Sequence, residues 1–293
     1  MDQRRTAKAT LTPFLLDLDE TLLFTRADGG VVRVTLRRTW AEVTARDYGR
    51  YGYGGVEEGI SAYAFGCDLD VDGETVPIRR EAGSSGSFSE PWTGHGVWIW
   101  LDAVQDCFSE HGGFLEEKDW RMGFICQPLR RARFAIQDAS LGICPEPVVP
   151  WCALPEDGLR IEQCYNGEDC WMGPYMGGRA HCGLDINMPV GARLTAPIAF
   201  DDHYLFHTVD AGFGNNRWRG IRRWPDGSEW QLQAHHLVDL LVPERTPLAR
   251  GTVYATTAGT AYGAHPHTHF MFRIIEQGGE FLLDPWLLFL EMQ

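Results

Sequence analysis

No stretch of this sequence approaches the eighteen or so consecutive apolar residues that a membrane-spanning helix needs, which excludes a helical span. None of its cysteines (Cys67, Cys107, Cys126, Cys144, Cys152, Cys164, Cys170, Cys182) forms a C-x-x-C pair, so a cysteine metal site lacks its usual starting point. Buried free thiols with one or two disulfides are expected instead. Positive charge is short: Lys and Arg number 26 against 40 Asp and Glu, a formal charge of −14. Such a surface repels polyanions, so nucleic acid is not an expected partner. An anionic polysaccharide would have to be held by a local patch such as Arg217, Arg219, Arg222 and Arg223. Serine nucleophile elbows, phosphate loops and dinucleotide fingerprints are absent, as are internal repeats and low-complexity tracts. The first residues show no signal-peptide pattern, since the one apolar stretch, Pro13 to Leu18, soon meets acidic residues. Location stays open between an extracellular or periplasmic space, for a chain whose leader has been trimmed, and the cytoplasm. Nothing marks an oligomeric state.

What is present describes a globular, turn-rich protein of 293 residues with 33 glycines and 44% hydrophobic residues, large enough to bury a core without staples. Short alternating segments, LLFTRA, VVRVTLRR and YAFGCDLDV, are punctuated by DGG and DGE, the pattern of β-hairpins. EAGSSGSFSEPWTG reads as a surface loop. Trp98 to His111, with Trp100, Leu101, Val104 and Phe108 apolar and Gly112-Gly113 after it, predicts one helix. The proline-rich run CPEPVVPWCALPEDG predicts a domain connection, dividing the chain into residues 1–150 and 151–293. Beyond it come further strands, LRIEQCY, ARLTAPIAF, YLFHTVD, WQLQAHHL, GTVYATTAG and HTHFMFRI, and a last stretch, DPWLLFLEMQ, that fits a short helix or a strand. The expected fold is mainly β: a β-rich N-terminal domain with one helix, then an antiparallel catalytic domain with a zinc groove.

The chemistry concentrates in two places. In AHCGLDINMPVG, His181 and Asp185 stand four apart, which in extended chain puts both side chains on one face, with Gly183 leaving that face open. In HPHTHF, His265, His267 and His269 share one face of a strand while Phe270 and Phe272 belong to a core. Two histidines and an aspartate make the three protein ligands of a catalytic zinc site, with a position left for water whose pKa then falls toward ~7. A neighbouring imidazole holds or relays the proton. The doublet His235-His236 lies between the two motifs.

HCGLDINMPVGARLTAP resembles the first signature of lysostaphin-type (LytM-type) zinc endopeptidases, HPHTHFMF their second, and QAHHL the segment carrying a further histidine before a leucine. The resemblance covers residues 178 to 272. It implies Zn2+ held by His181, Asp185 and His269. It also implies that His267 and His236, with His235 as the alternative register, orient the water and stabilise the oxyanion of a tetrahedral intermediate. The activity implied is hydrolysis of an amide bond in a cell-wall peptide. Two other functions remain open: cleavage of a polysaccharide in the same groove, by hydrolysis or by β-elimination with a base such as Tyr175, and a non-catalytic binding relative. The substrate is thus a peptide or glycan polymer. Aromatic residues in GEDCWMGPYMGG and NNRWRGIRRW fit a cleft wall or a core equally.

Two other motifs resolve into turns. FLLDLDETLLF mimics the D-x-D-x-T of haloacid-dehalogenase-type phosphatases, with Asp17 and Asp19 as the pair, but a hairpin follows where that fold needs a doubly wound sheet. CDLDVDGE lacks the closing glutamate of a calcium loop.

Overall fold

A computed structural model of the chain describes residues 2–46, 62–83, 87–115, 126–164, 174–175, 179–207, 216–258, 266–277 and 279–293. It is mainly β with antiparallel sheets, and it divides into two compact units, 1–145 with 172–182 and 146–171 with 183–293.

The first unit holds β1 (Gln3–Thr6), β2 (Thr12–Leu16), β3 (Thr21–Thr25), β4 (Val31–Ala45), β5 (Ala62–Val71), β6 (Glu74–Ala82), β7 (Trp92–Gly94), β8 (Val97–Val104) and β9 (Ala132–Asp138). A five-stranded sheet runs β1-β3-β4-β5-β6 and a four-stranded one β2-β9-β8-β7. Two short strands, β10 (Pro174–Tyr175) and β11 (Arg179–Ala180), pair with each other. The hairpin punctuation is real. Asp72 and Gly73, at φ 50° and 90°, make the two-residue left-handed turn between β5 and β6, and Gly is the residue that takes such φ without steric cost. Asp17 and Asp19 fall in the turn between β2 and β3, where Asp17 accepts a bond from the Arg131 N–H and Asp19 pairs with Arg37.

The helix expected over Trp98 to His111 is not there. Residues 97–104 are strand β8, followed by two single 3-10 turns at Gln105–Cys107 and Ser109–His111. The physical reason is burial on both faces: β8 lies between β7 and β9 and all but Trp98 of its residues are buried. A strand with no solvent face carries a continuous apolar run, which contains the helical spacing by accident.

The second unit holds β12 (Leu184–Asn187), β13 (Arg193–Thr195), β14 (Asp202–Phe206), β15 (Asn216–Arg223), β16 (Glu229–Leu240), β17 (Val253–Thr257), β18 (His267–Glu276), β19 (Gly279–Leu283) and helix α1 (Trp286–Leu290), the one α-helix among the described residues. Its main sheet runs β12-β18-β16-β15-β14; β17 pairs with β13 and β16, and β19 with β18. One face is a hydrocarbon core: Leu184, Trp218, Trp230, Leu232, Ala234, Phe270, Phe272 and Ile274 are fully buried. Trp151 joins it, its indole N–H donating to the Tyr254 hydroxyl at 2.9 Å and its ring centroid 4.6 Å from that of Phe270. Phe289 of α1 packs on Phe270 at 5.1 Å. Trp218 and Trp224 are buried, so these aromatics of the NNRWRGIRRW segment fill core and do not line a cleft.

Cys126 and Cys182 of the first unit form a disulfide with Cα atoms 5.4 Å apart, while Cys67, Cys107 and Cys152 are buried free thiols and Cys144 and Cys164 are buried. Burial pushes the Cys152 thiol up to about 12, so it stays protonated and inert as a nucleophile at neutral pH. Cys170 lies outside the described residues.

Candidate metal centre

The site is built on the face of the second unit's main sheet opposite the aromatic core. In β18 the residues alternate: Phe270 and Phe272 go to the core, His267 and His269 to the other face. β12 runs antiparallel beside it in a register that sets Asp185 directly opposite His269 and Asn187 opposite His267. The aspartate therefore arrives on the histidine face by pleat alone. Asn187 anchors this short strand through its amide N–H to the Cys164 carbonyl at 2.9 Å.

His269 Nδ1 and Asp185 Oδ1 are 2.8 Å apart, and His267 Nε2 is 3.6 Å from Asp185 Oδ2. His181 stands just ahead of β12. One ligand atom from each of His181, Asp185 and His269 lies within 4.8 Å of the other two, and all three residues are buried. Ligand atoms on a tetrahedron around Zn2+ at ~2.0–2.1 Å stand about 3.3 Å apart, a spacing comparable to the spread of these three, which could hold one ion. The donor set, two imidazoles and a carboxylate, also suits zinc. Gly183 is needed for this: a Cβ there would overlap the His269 ring at Cε1 and Nε2 and crowd the Phe270 carbonyl.

Strict alternation would send His235 and His236 to opposite faces, but β16 carries a bulge. Its residues Ala234 and Leu237, three apart, pair with Trp218 and Asn216, two apart. His236 takes the left-handed conformation at φ 64°, and its carbonyl accepts the Ala258 N–H at 2.8 Å. Both rings then reach the site: His235 lies 4.8 Å from His269 and His236 4.7 Å from His267, centroid to centroid. The sequence left a choice between His235 and His236; the bulge brings in both. A left-handed non-glycine residue is strained, and such strain gathers at functional positions.

Burial, with His269 and Arg217 nearby, holds the His235 imidazole well below its ordinary pKa. Burial, then the proximity of His267, pushes that of His236 down to about 3. Both rings are neutral at pH 7 and serve as hydrogen-bonding groups.

Three sequence expectations lie elsewhere. His265 is outside the described residues, as is the side chain of Tyr175. The basic patch is committed to neighbours: Arg222 pairs with Asp201, Arg223 with Glu229, and Arg219 bonds the Tyr204 hydroxyl. Sequence reasoning passed over Gln231 and Gln233, which lie on the same face as His235; polar residues at every second position of WQLQAHHL, a strand otherwise apolar, were the available signal.

No family model matches the sequence, and the comparison with curated proteins gives no match. Solved structures do resemble it. The catalytic domain of the antimicrobial peptidase lysostaphin from Staphylococcus simulans is 24% identical, over 39% of this chain and 84% of that one, at a TM-score of 0.32. The catalytic domain of a mutant of the prophage-encoded M23 protein EnpA from Enterococcus faecalis is 15% identical over 40% of this chain and 85% of that domain chain, at 0.31. A zinc-containing peptidase from Vibrio cholerae is 12% identical over 93% of this chain and 83% of its own, also at 0.31.

Proposed function

We propose that the chain is a zinc-dependent hydrolase of amide bonds, acting on a peptide of the cell-wall type. The observation that carries this is the convergence of His181, Asp185 and His269, with His235 against His269, His267 3.6 Å from Asp185, and His236 against His267. His181, Asp185 and His269 would hold the ion. A zinc ion held by them would supply Lewis acidity for the carbonyl and a water of lowered pKa.

The protein's own part is positioning and proton handling. His267, with its Nε2 3.6 Å from the ligand carboxylate, stands where it takes a proton from the attacking water and returns it to the leaving amine. His236, neutral and against His267, offers an N–H to the oxygen that gains charge as the carbonyl becomes tetrahedral. His235 packs on the ligand His269 and keeps its ring in place. The site is buried, which strengthens each of these polar contacts.

The test is metal analysis joined to turnover on pentaglycine and on cross-linked peptidoglycan. One zinc per chain is expected in the wild type and in His267→Ala, with turnover lost only in the latter, and no zinc in Asp185→Ala. A wild type purified with zinc available that retains none would end this proposal.

A further inference from the structure

Beyond the histidines, the same sheet face continues with Gln233 beside Met271 and Arg219, then Gln231 beside Arg273 and Ile221. Both glutamines are more than nine-tenths buried, and each has one amide atom engaged and one without a partner. Gln231 donates its N–H to Glu229 at 2.6 Å, which leaves its Oε1 unpaired. Gln233 Oε1 lies 3.4 Å from His235 Nε2, and since a carbonyl oxygen only accepts, the ring nitrogen donates; Gln233 Nε2 is left unpaired. The Glu229 carboxylate, which only accepts, fixes the Gln231 amide, while the Gln233 amide is placed with its oxygen toward His235 and takes the His235 tautomer that carries its proton on Nε2. In this arrangement a donor next to the metal cluster and an acceptor two residues further along have no partner.

A buried unsatisfied donor or acceptor costs roughly 1–3 kcal/mol, so two in one row on a polar face require a reason. Residues two apart on a strand are about 6.6 Å apart, and an extended peptide presents its backbone carbonyl and N–H groups on one side with the same two-residue repeat. Met271 and Arg219, which flank Gln233, are long unbranched side chains, and Arg219 is turned toward Tyr204 and Phe206, bonding the Tyr204 hydroxyl at 3.1 Å.

Resting on the peptide-hydrolase reading above, we infer that Gln233 and Gln231 are substrate-positioning residues: the Gln233 N–H donates to a backbone carbonyl of an extended peptide beside the scissile bond, and Gln231 Oε1 accepts a backbone N–H two residues away. Recognition then falls on the peptide backbone and not on side chains.

The experiment uses the zinc-loaded full chain with pentaglycine and with analogues carrying sarcosine at one position, so that one backbone N–H is removed at a time. Gln233→Leu and Gln231→Leu should each raise KM about tenfold, the size of one hydrogen bond, with kcat and zinc content within twofold of wild type. Gln233→Met serves as a second variant of similar volume should the leucine fold poorly. One sarcosine position should cost the wild type about tenfold and cost Gln231→Leu nothing. A Gln233 variant with unchanged KM, or a sarcosine penalty equal in wild type and Gln231→Leu, overturns the assignment while leaving the hydrolase standing. If the wild type cuts nothing, the hydrolase fails, and calorimetric binding of pentaglycine judges the glutamines by themselves: a Kd weakened about tenfold in Gln233→Leu supports them, and an unchanged Kd or no binding at all overturns them.

Discussion

The two faces of β18 make the sharpest contrast in the molecule. Phe270, Phe272 and Ile274 go one way into hydrocarbon, and His267, His269, Met271 and Arg273 go the other way into a buried polar layer. Neither face meets solvent to any extent, yet one holds the second unit together and the other carries potential chemistry. Burial on the first is satisfied by contact alone, so any apolar side chain of the right volume serves. On the second, each buried polar atom left without a partner costs free energy, so the side chains there are far less interchangeable. Substitutions at adjacent positions should therefore fail in different ways.

The largest difference is expected between His269→Ala and Phe270→Ala. Removing the His269 imidazole should lower zinc affinity by more than the roughly 10–100-fold typical of residues that only support a ligand, with a smaller loss of metal-free stability, about 1–3 kcal/mol, from taking away the 2.8 Å partner of the buried Asp185 carboxylate. Phe270, packed on Trp151 and Phe289, should cost about 3–5 kcal/mol of stability as alanine. Denaturant titration with and without zinc separates the two, and a Phe270→Ala protein as stable as wild type would erase the distinction between the faces.

Next in size is Gly183→Ala. The added methyl has nowhere to go except into the His269 ring, so the ring must turn away from Asp185. Zinc affinity should fall about 10–100-fold, read by competition with a chelator, with secondary structure unchanged by circular dichroism. Wild-type affinity in that variant would show that the His269 ring has slack that the structure denies it.

Most of this was legible in the sequence, for a definite reason. Alternation in HTHFMF assigns faces because a strand has no other period; His181 and Asp185 also converge, but not through the extended chain expected, since Cys182 between them takes a left-handed φ of 67° and β12 begins only at Leu184. Three things were not legible. The helix expected over Trp98 to His111 is a doubly buried strand, and periodicity cannot tell the two apart when no position is exposed. The His235-His236 doublet joins the site through a bulge, and a bulge depends on the partner strand's pairing, which His-His does not encode. The Cys126–Cys182 bridge was one of many possible pairings, and spacing alone does not choose.

The smallest effect to seek is in acid. His235 and His236 are buried with pKa values below the ordinary ~6.5 of an unfolded histidine, His236 at about 3. In the unfolded chain they bind protons below ~6.5, while in the folded, metal-free protein they resist doing so. The unfolded state therefore holds more protons, and stability rises with pH across that window. The contribution is fully present above ~6.5 and is lost progressively as pH falls toward 3. Phe270 does not titrate, but His203 on the core side is also held by burial below its ordinary pKa and adds to the slope, so only the difference between wild type and a variant isolates the histidine face. Unfolding midpoints of metal-free wild type and His235→Gln, taken from pH 8 to pH 5, should diverge in slope, the variant being flatter. Parallel curves would mean that the two imidazoles are as free to take up protons when folded as when unfolded, and the polar face would then be wetter than its packing implies.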